Sequence, residues 1–253
     1  MEVAIVKYNA GNIYSVVNAL RRLGVEPIVT DQPERLRAAD RVLFPGQGEA
    51  SQAMSYLRAH GLDSVISSLR QPVLGICIGQ QLMCRHSEEG DTDCLGIFPV
   101  DVLRFRPERH EQKVPHMGWN EVRTMDNGQW TMDNGQSSKF KVQSSMFNVQ
   151  SSRVKVQSSM FNVQSSKFNV QSSKFNVQSS TCDGGLIEDR SFVYFVHSYY
   201  VPVCEFTTAV CDYIVPFSAA LRRDNFFATQ FHPEKSGAVG EQILRRFLEA
   251  TLS

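Results

Sequence analysis

The chain has 253 residues, and its 26 Lys and Arg balance 26 Asp and Glu, so the formal charge is zero. That balance excludes the basic footprint of non-specific nucleic-acid binding. No apolar run approaches the ~20 residues of a bilayer span, and the opening MEVAIVKYNAGN lacks a basic-then-apolar leader, so a cytoplasmic protein with no membrane association is expected.

Val3–Val6 reads as a short buried strand. Asn9-Ala10-Gly11-Asn12 forms a turn cluster with Asn12 as a candidate N-cap. Ile13, Val16, Val17, Leu20 and Leu23 recur at helical spacing up to Gly24. Val25–Val29 and Val42–Phe44 are further strands, the latter stopped by Pro45-Gly46. Ala53–Leu57 and Leu62–Leu69 carry helical patterns, and Val73–Ile76 is a buried strand entering a helix at Ile78. Strands at Phe98–Phe105 and Asn120–Arg123 follow.

Residues 125–180 divide into eight units of seven, from MDNGQWT to KFNVQSS. Apolar residues in KFNVQSS sit two apart and then five, which refuses the alternating gaps of three and four of a coiled coil. The gap of two is strand-like, but an odd period reverses faces from unit to unit. With 14 serines in the segment, it reads as a disordered or irregular insertion at a loop tip. It interrupts one discontinuous domain, residues 1–124 and 183–253. Beyond it come strands at Phe192–Val201, Val210–Val215, Ala219–Arg222 and Phe226–Phe231, and a helix with Val239, Ile243, Leu244, Phe247 and Leu248 on one face. Strands alternating with helices predict an α/β three-layer sandwich with a central mixed, mostly parallel sheet, its second half leaning antiparallel.

Six cysteines (Cys77, Cys84, Cys94, Cys182, Cys204, Cys211) include no C-x-x-C pair, so neither a disulfide scaffold nor a structural zinc site is expected. Cys77 stands apart from the rest. Gly75-Ile76-Cys77-Ile78-Gly79 joins an apolar strand to a helix, and small residues on both sides permit a sharp turn that presents the sulfur at the sheet edge. A helix N-terminus there favours thiolate, and the N–H of Ile78 points where an oxyanion would form. Cys84, two helical turns on, reads as core.

A cysteine nucleophile that cleaves an amide needs an imidazole. His232 follows the strand Phe226–Phe231 and so reaches a sheet edge as well. Pro233 stiffens the turn, and Glu234 is placed to hydrogen-bond the second ring nitrogen and fix the tautomer. His197, mid-strand with no adjacent carboxylate, is a rival base that reads better as pocket lining.

Pro45-Gly46-Gln47-Gly48 after a strand, the Gly75–Gly79 elbow continuing to Gln81, and His232-Pro233-Glu234 together resemble the class I glutamine amidotransferases, whose fold is flavodoxin-like. Tyr8–Asn12 (YNAGN), Val114–Asn120 (VPHMGWN), Phe195–Tyr199 (FVHSY) and His232–Ser236 (HPEKS) narrow the resemblance to glutaminase subunits of imidazole glycerol phosphate synthases, from histidine biosynthesis. The resemblance implies that Cys77 attacks the side-chain amide of glutamine, His232 shuttles the proton and Glu234 orients His232. It implies backbone N–H groups of Gln47 and Ile78 as the oxyanion hole. Gly48, Gln81, Ser198 and Tyr199 would hold the substrate. Asn12, His116, Trp119 and Lys235 would face a partner, a (β/α)8-barrel cyclase subunit in a heterodimer. The partner would use the ammonia on a ribulosyl phosphate, giving imidazole glycerol phosphate and an aminoimidazole carboxamide ribotide. No cofactor or metal is implied. Gln47 stands where the family normally has valine, and Gln80 where methionine is usual. Oxyanion donors are backbone groups, so these changes bear on efficiency rather than on the chemistry itself.

Competing readings are a glutaminase subunit for anthranilate or aminobenzoate synthesis, a stand-alone amide or γ-glutamyl hydrolase, and a catalytically silent binding protein that uses the repeat. YNAGN and VPHMGWN argue against the first, and the intact Cys77, His232 and Glu234 against the last.

Overall fold

The order of strands follows from which segments can be buried on both faces. A computed structural model describes residues 1–8, 13–46, 48–125 and 185–251. Asn12, Gln47 and the repeat beyond Met125 lie outside the described residues. The first half contains β1 (Val3–Val6), α1 (Ile13–Arg22), β2 (Ile28–Thr30), α2 (Pro33–Ala38), β3 (Arg41–Gly46), α3 (Ala50–Ala59) and α4 (Leu62–Ser68). Next come β4 (Val73–Cys77), α5 (Ile78–Leu82), β5 (Cys84–Ser87), β6 (Thr92–Asp93), β7 (Phe98–Arg104) and β8 (His116–Thr124). The chain closes with β9 (Ser191–His197), β10 (Tyr199–Tyr200), β11 (Thr207–Asp212), β12 (Pro216–Arg223), β13 (Phe226–Thr229), a 3₁₀ turn (Pro233–Lys235) and α6 (Gly237–Glu249).

Among the described residues nine strands form the central sheet in the order β2-β1-β3-β4-β13-β12-β11-β8-β9. The first five are parallel and the remainder pair antiparallel. Val3 and Ile5 pack with Val16, Leu20, Ile243 and Phe247, on the face covered by α1 and α6. Ala4 and Val6 pack with Leu36, Met54, Leu57 and Ile66, on the face covered by α2, α3 and α4. Alternate residues of one strand therefore enter opposite cores, which is why the parallel strands read as unbroken apolar runs. Each fully buried Val, Leu or Ile contributes about 1.5–3 kcal/mol, so both layers are strongly fixed to the sheet.

α1 ends as the sequence predicts: Arg21 and Arg22 occupy the last turn and Gly24 takes φ +80. Several expectations shift, among them the strand predicted over Val210–Val215, which runs over Thr207–Asp212. The second strand begins at Ile28 rather than Val25. β8 starts at His116 rather than Asn120. The segment predicted as one strand over Phe192–Val201 is two, broken at Ser198, and its second piece leaves the main sheet. A small sheet, β10-β7-β5-β6, was not expected at all.

The topology brings three segments to one edge. β4 lies between β3 and β13, with Gly46 opposite Cys77 and Thr229 opposite Ile76. The carboxyl ends of these parallel strands thus carry Gly48, Cys77 and, just past β13, His232. Such an edge is where open α/β sheets bind ligands. Across the sheet, Val122 of β8 pairs with Ser191 of β9.

Candidate active site

Cys77 ends β4 with φ +56, a left-handed conformation that a non-glycine residue adopts only when its surroundings impose it. The surroundings are backbone. A Cβ on Gly79 would lie 1.8 Å from the Phe44 carbonyl oxygen, and one on Gly75 would lie 3.0 Å from the Gly79 carbonyl. The glycines let α5 fold back onto β3 and β4, and that contact turns Cys77 out of the strand. Its sulfur sits 3.8 Å from the Val196 carbonyl oxygen and receives Gln230 Nε2 at 3.8 Å.

His232 is held by its backbone. Its N–H donates to the Tyr194 carbonyl at 2.9 Å, and its own carbonyl accepts Ser236 Oγ at 2.7 Å. Ser236 Oγ also accepts the Tyr194 N–H, and Gly240 passes so close to Pro233 that a Cβ would meet its carbonyl at 1.8 Å. The turn after β13 is thereby clamped between β9 and α6. Within it His232 Nδ1 donates to Glu234 Oε1 at 2.8 Å, both side chains 2% exposed. That bond fixes the tautomer and leaves Nε2 without a hydrogen-bond partner among the described residues. Burial disfavours charge on the ring, but Cys77 and Glu234 together outweigh it and push His232 up to about 10.

Cys77 and His232 line one cavity of about 450 Å³, with Gly48, Ile78, Gln81, Glu89, Ser198, Tyr199 and Lys235 among the other walls. The nucleophile, base and orienter named from sequence are therefore together, and the cavity admits a molecule the size of an amino acid. A family model described as glutamine amidotransferase class-I matches residues 4–251.

The chain belongs to the class-I glutamine amidotransferases. It is 51% identical to the imidazole glycerol phosphate synthase subunit HisH of Bacteroides thetaiotaomicron over 249 residues, covering 98% of this chain and 100% of that one. The HisH subunit of Idiomarina loihiensis is 36% identical over 253 residues and covers both chains fully. In fold it resembles a crystal structure of a glutamine amidotransferase, with a TM-score of 0.59, 16% identity and 97% of each chain covered.

The end of β3 packs against the elbow. Tyr8 Oη donates to the Pro45 carbonyl at 2.8 Å, and a Cβ on Gly46 would fall 1.9 Å from that hydroxyl and 2.2 Å from Ile78. Gln47 lies outside the described residues. Gln80, the other unusual residue, points away from the cavity: it is fully buried and Nε2 donates to the Ser218 carbonyl at 3.1 Å. Gln81 does line the cavity, donating through Nε2 to the Tyr199 carbonyl at 3.1 Å and to Gln230 Oε1 at 3.0 Å.

His197 lines the cavity with both ring nitrogens engaged in hydrogen bonds. Its Nδ1 donates to the Tyr199 carbonyl at 2.7 Å, its Nε2 accepts from His116 at 3.0 Å, and burial pushes the ring down to about 3. Cys84 is core as expected, buried, with its thiol pushed up by desolvation.

One residue expected on the partner-facing surface is misplaced. His116 is only 3% exposed, because it lies on the inner face of β8 and stacks between Phe195 and Tyr213. The outward face carries Met117 and Trp119, 66% and 56% exposed, and on β9 Phe192. Lys235 borders the cavity as well as the surface, and Asn12 lies outside the described residues.

Glu89 was missed from sequence. Its carboxylate accepts the Ala50 N–H at 2.9 Å, and burial together with Glu49 raises it above the ordinary carboxylate range. It is a cavity-lining carboxylate placed by β5 and β6, the short strands of the small sheet, and no motif around Glu88-Glu89-Gly90 marks it. Among the described residues no group of His, Cys, Asp and Glu is arranged to hold a metal ion, and no helix is long and apolar enough to cross a membrane.

Proposed function

We infer that this amidotransferase is the glutaminase subunit of an imidazole glycerol phosphate synthase. It hydrolyses glutamine to glutamate and ammonia for a (β/α)8 cyclase partner in cytoplasmic histidine biosynthesis. The observation that carries the reading is Cys77 and His232 on one cavity at the carboxyl ends of parallel strands, with Glu234 bonded to the far side of the His232 ring. The HisH relatives named above support the synthase and the pathway.

The geometry supports the following chemistry. Glutamine enters with its carboxamide over Cys77. The α-ammonium is matched by Glu89, and the α-carboxylate by backbone at Ser198 and Tyr199. The Cys77 thiolate adds to the carboxamide carbon, and the oxygen takes the negative charge beside the Ile78 N–H and the Gln47 segment. His232, protonated at Nε2, gives its proton to the leaving nitrogen, so ammonia departs and a thioester remains. Neutral Nε2 then takes a proton from water as the hydroxide attacks the thioester, and glutamate leaves. Glu234 stays ionised throughout and stabilises the imidazolium.

Met117, Trp119 and Phe192 share one exposed face of the β8–β9 pair, an apolar surface suited to a partner beside the cavity mouth. The repeat is read as an insertion at the end of that pair, since Val122 and Ser191 face each other across it.

The test is glutamate release by the purified chain, alone and with a cyclase subunit and its phosphorylated ligand. Wild type should release glutamate and Cys77→Ala should not, while both still bind the cyclase. Undiminished release from Cys77→Ala would overturn the nucleophile assignment.

A further inference from the structure

Behind the cavity wall runs a directional line of hydrogen bonds that the mechanism above does not use. It begins at Asn120, whose amide is oriented by two backbone groups: Nδ2 donates to the Asp212 carbonyl at 3.1 Å and Oδ1 accepts the Glu121 N–H at 2.8 Å. Nδ2 therefore also faces His116 Nε2, at 3.4 Å, as a donor. His116 Nε2 must accept, so Nδ1 carries the proton and donates to His197 Nε2 at 3.0 Å. His197 Nδ1 in turn donates to the Tyr199 carbonyl at 2.7 Å.

The same direction follows from the other end, because a carbonyl can only accept. Both rings are neutral Nδ1–H tautomers, each with its single lone pair already engaged. Both are buried, and the surroundings press both below the ordinary histidine range, to about 4 and about 3. A protonated ring would turn one acceptor into a second donor and break the line.

The line ends on a shared atom. The Tyr199 carbonyl also accepts Gln81 Nε2, whose second hydrogen goes to Gln230 Oε1, and Gln230 Nε2 reaches Cys77 Sγ. Both amide hydrogens of Gln81 are spoken for, so its Oε1 is the group left for a ligand in the cavity. The orientation of a cavity-lining amide therefore depends on a carbonyl held by His197, which His116 on the neighbouring strand holds in turn.

We propose that His116 is a positioning residue for the glutamine pocket: acting through His197, it fixes the Tyr199 carbonyl and with it the carboxamide of Gln81. The proposal rests on the glutamine reading above and deepens it. His116 lies one residue from exposed Met117, so the line also joins the outward face of β8 to the substrate wall.

Inactivation by 6-diazo-5-oxo-L-norleucine, a glutamine-shaped reagent that alkylates the nucleophile, separates pocket affinity from sulfur reactivity. Wild type should show saturable labelling at Cys77. His116→Phe keeps the stacking on Phe195 and Tyr213 but removes the donor; its half-saturating concentration should rise roughly three- to tenfold, with the loss in affinity rather than in limiting rate. His116→Asn restores a donor near the Nδ1 position and should recover most of the loss. Absence of saturable labelling in wild type would overturn the glutamine reading. Saturable wild-type labelling with an unchanged half-saturating concentration in His116→Phe would overturn the relay alone, even if the melting temperature falls. Imidazole ¹⁵N shifts of the unmutated protein give a check independent of variant folding: an Nε2–H tautomer at either ring refutes the line.

Discussion

Cys77 and its glycines set the terms at the residue scale. The positive φ at Cys77 persists because Gly75, Gly79 and Gly46 let three pieces of backbone meet without intervening side chains. Gly79→Ala would drive a methyl into the Phe44 carbonyl, and the contact cannot relax through a flexible side chain. We expect a loss of about 2–4 kcal/mol, read from the denaturant midpoint, with reactivity at Cys77 falling in the protein that remains folded. His232 offers a cleaner electrostatic measurement. Burial opposes its charge, and Cys77 and then Glu234 restore it. Imidazole NMR should show the ring protonated through neutral pH in wild type. Cys77→Ala and Glu234→Gln should each move its titration downward, and an unmoved midpoint in both would contradict the coupling. Because its folded pKa is raised, the stabilisation from this ring is complete below 6.5 and disappears as the pH climbs through about 10.

The β8–β9 pair behaves in the opposite sense at the scale of the element. His116 and His197 are held neutral, so their contribution is complete above 6.5 and is lost as the pH falls through about 4 and 3. Each proton taken up on unfolding adds a slope of ~1.4 kcal/mol per pH unit. The other titratable neighbour of His197 is His232, whose positive charge adds to the depression. Acid-induced loss of stability between pH 6.5 and 4 should therefore be shallower in His116→Asn, as measured by urea unfolding at several pH values.

The same pair shows where the sequence is readable. Val3–Val6 and Val73–Ile76 announce themselves because both faces are buried and the apolar run is continuous. The elbow and the His232 turn are readable because their glycines, proline and carboxylate carry their own geometry. β8 starts four residues earlier than expected because Pro115 and Gly118 suggest a turn, while its inward residues are His116, Gly118 and Asn120 rather than aliphatics. α2, β5 and β6 are short and polar on their outer faces, so their periodicity is too brief to read. Glu89 was missed for that reason: a carboxylate becomes a site residue only when distant strands carry it to the cavity.

For the whole molecule, the decisive relation is that residues 1–125 and 185–251 complete one sheet, with Val122 and Ser191 already side by side. A loop joining two such neighbours can lengthen at small free-energy cost, about 0.6 kcal/mol for each doubling. Deleting 125–180 and joining the ends by a short turn should leave a folded enzyme with saturable labelling at Cys77. Insoluble protein, or soluble protein without labelling, would show that the repeat is structural.

That adjacency also divides the chemistry. The polypeptide ahead of the repeat supplies the sulfur, and the one behind it supplies the imidazole and its carboxylate, yet β8 and β9 zip together along seven residue pairs. Two separately expressed halves would carry matching edges for reassembly, and each alone should release no ammonia. Ammonia released on mixing them would then report that the two had found each other.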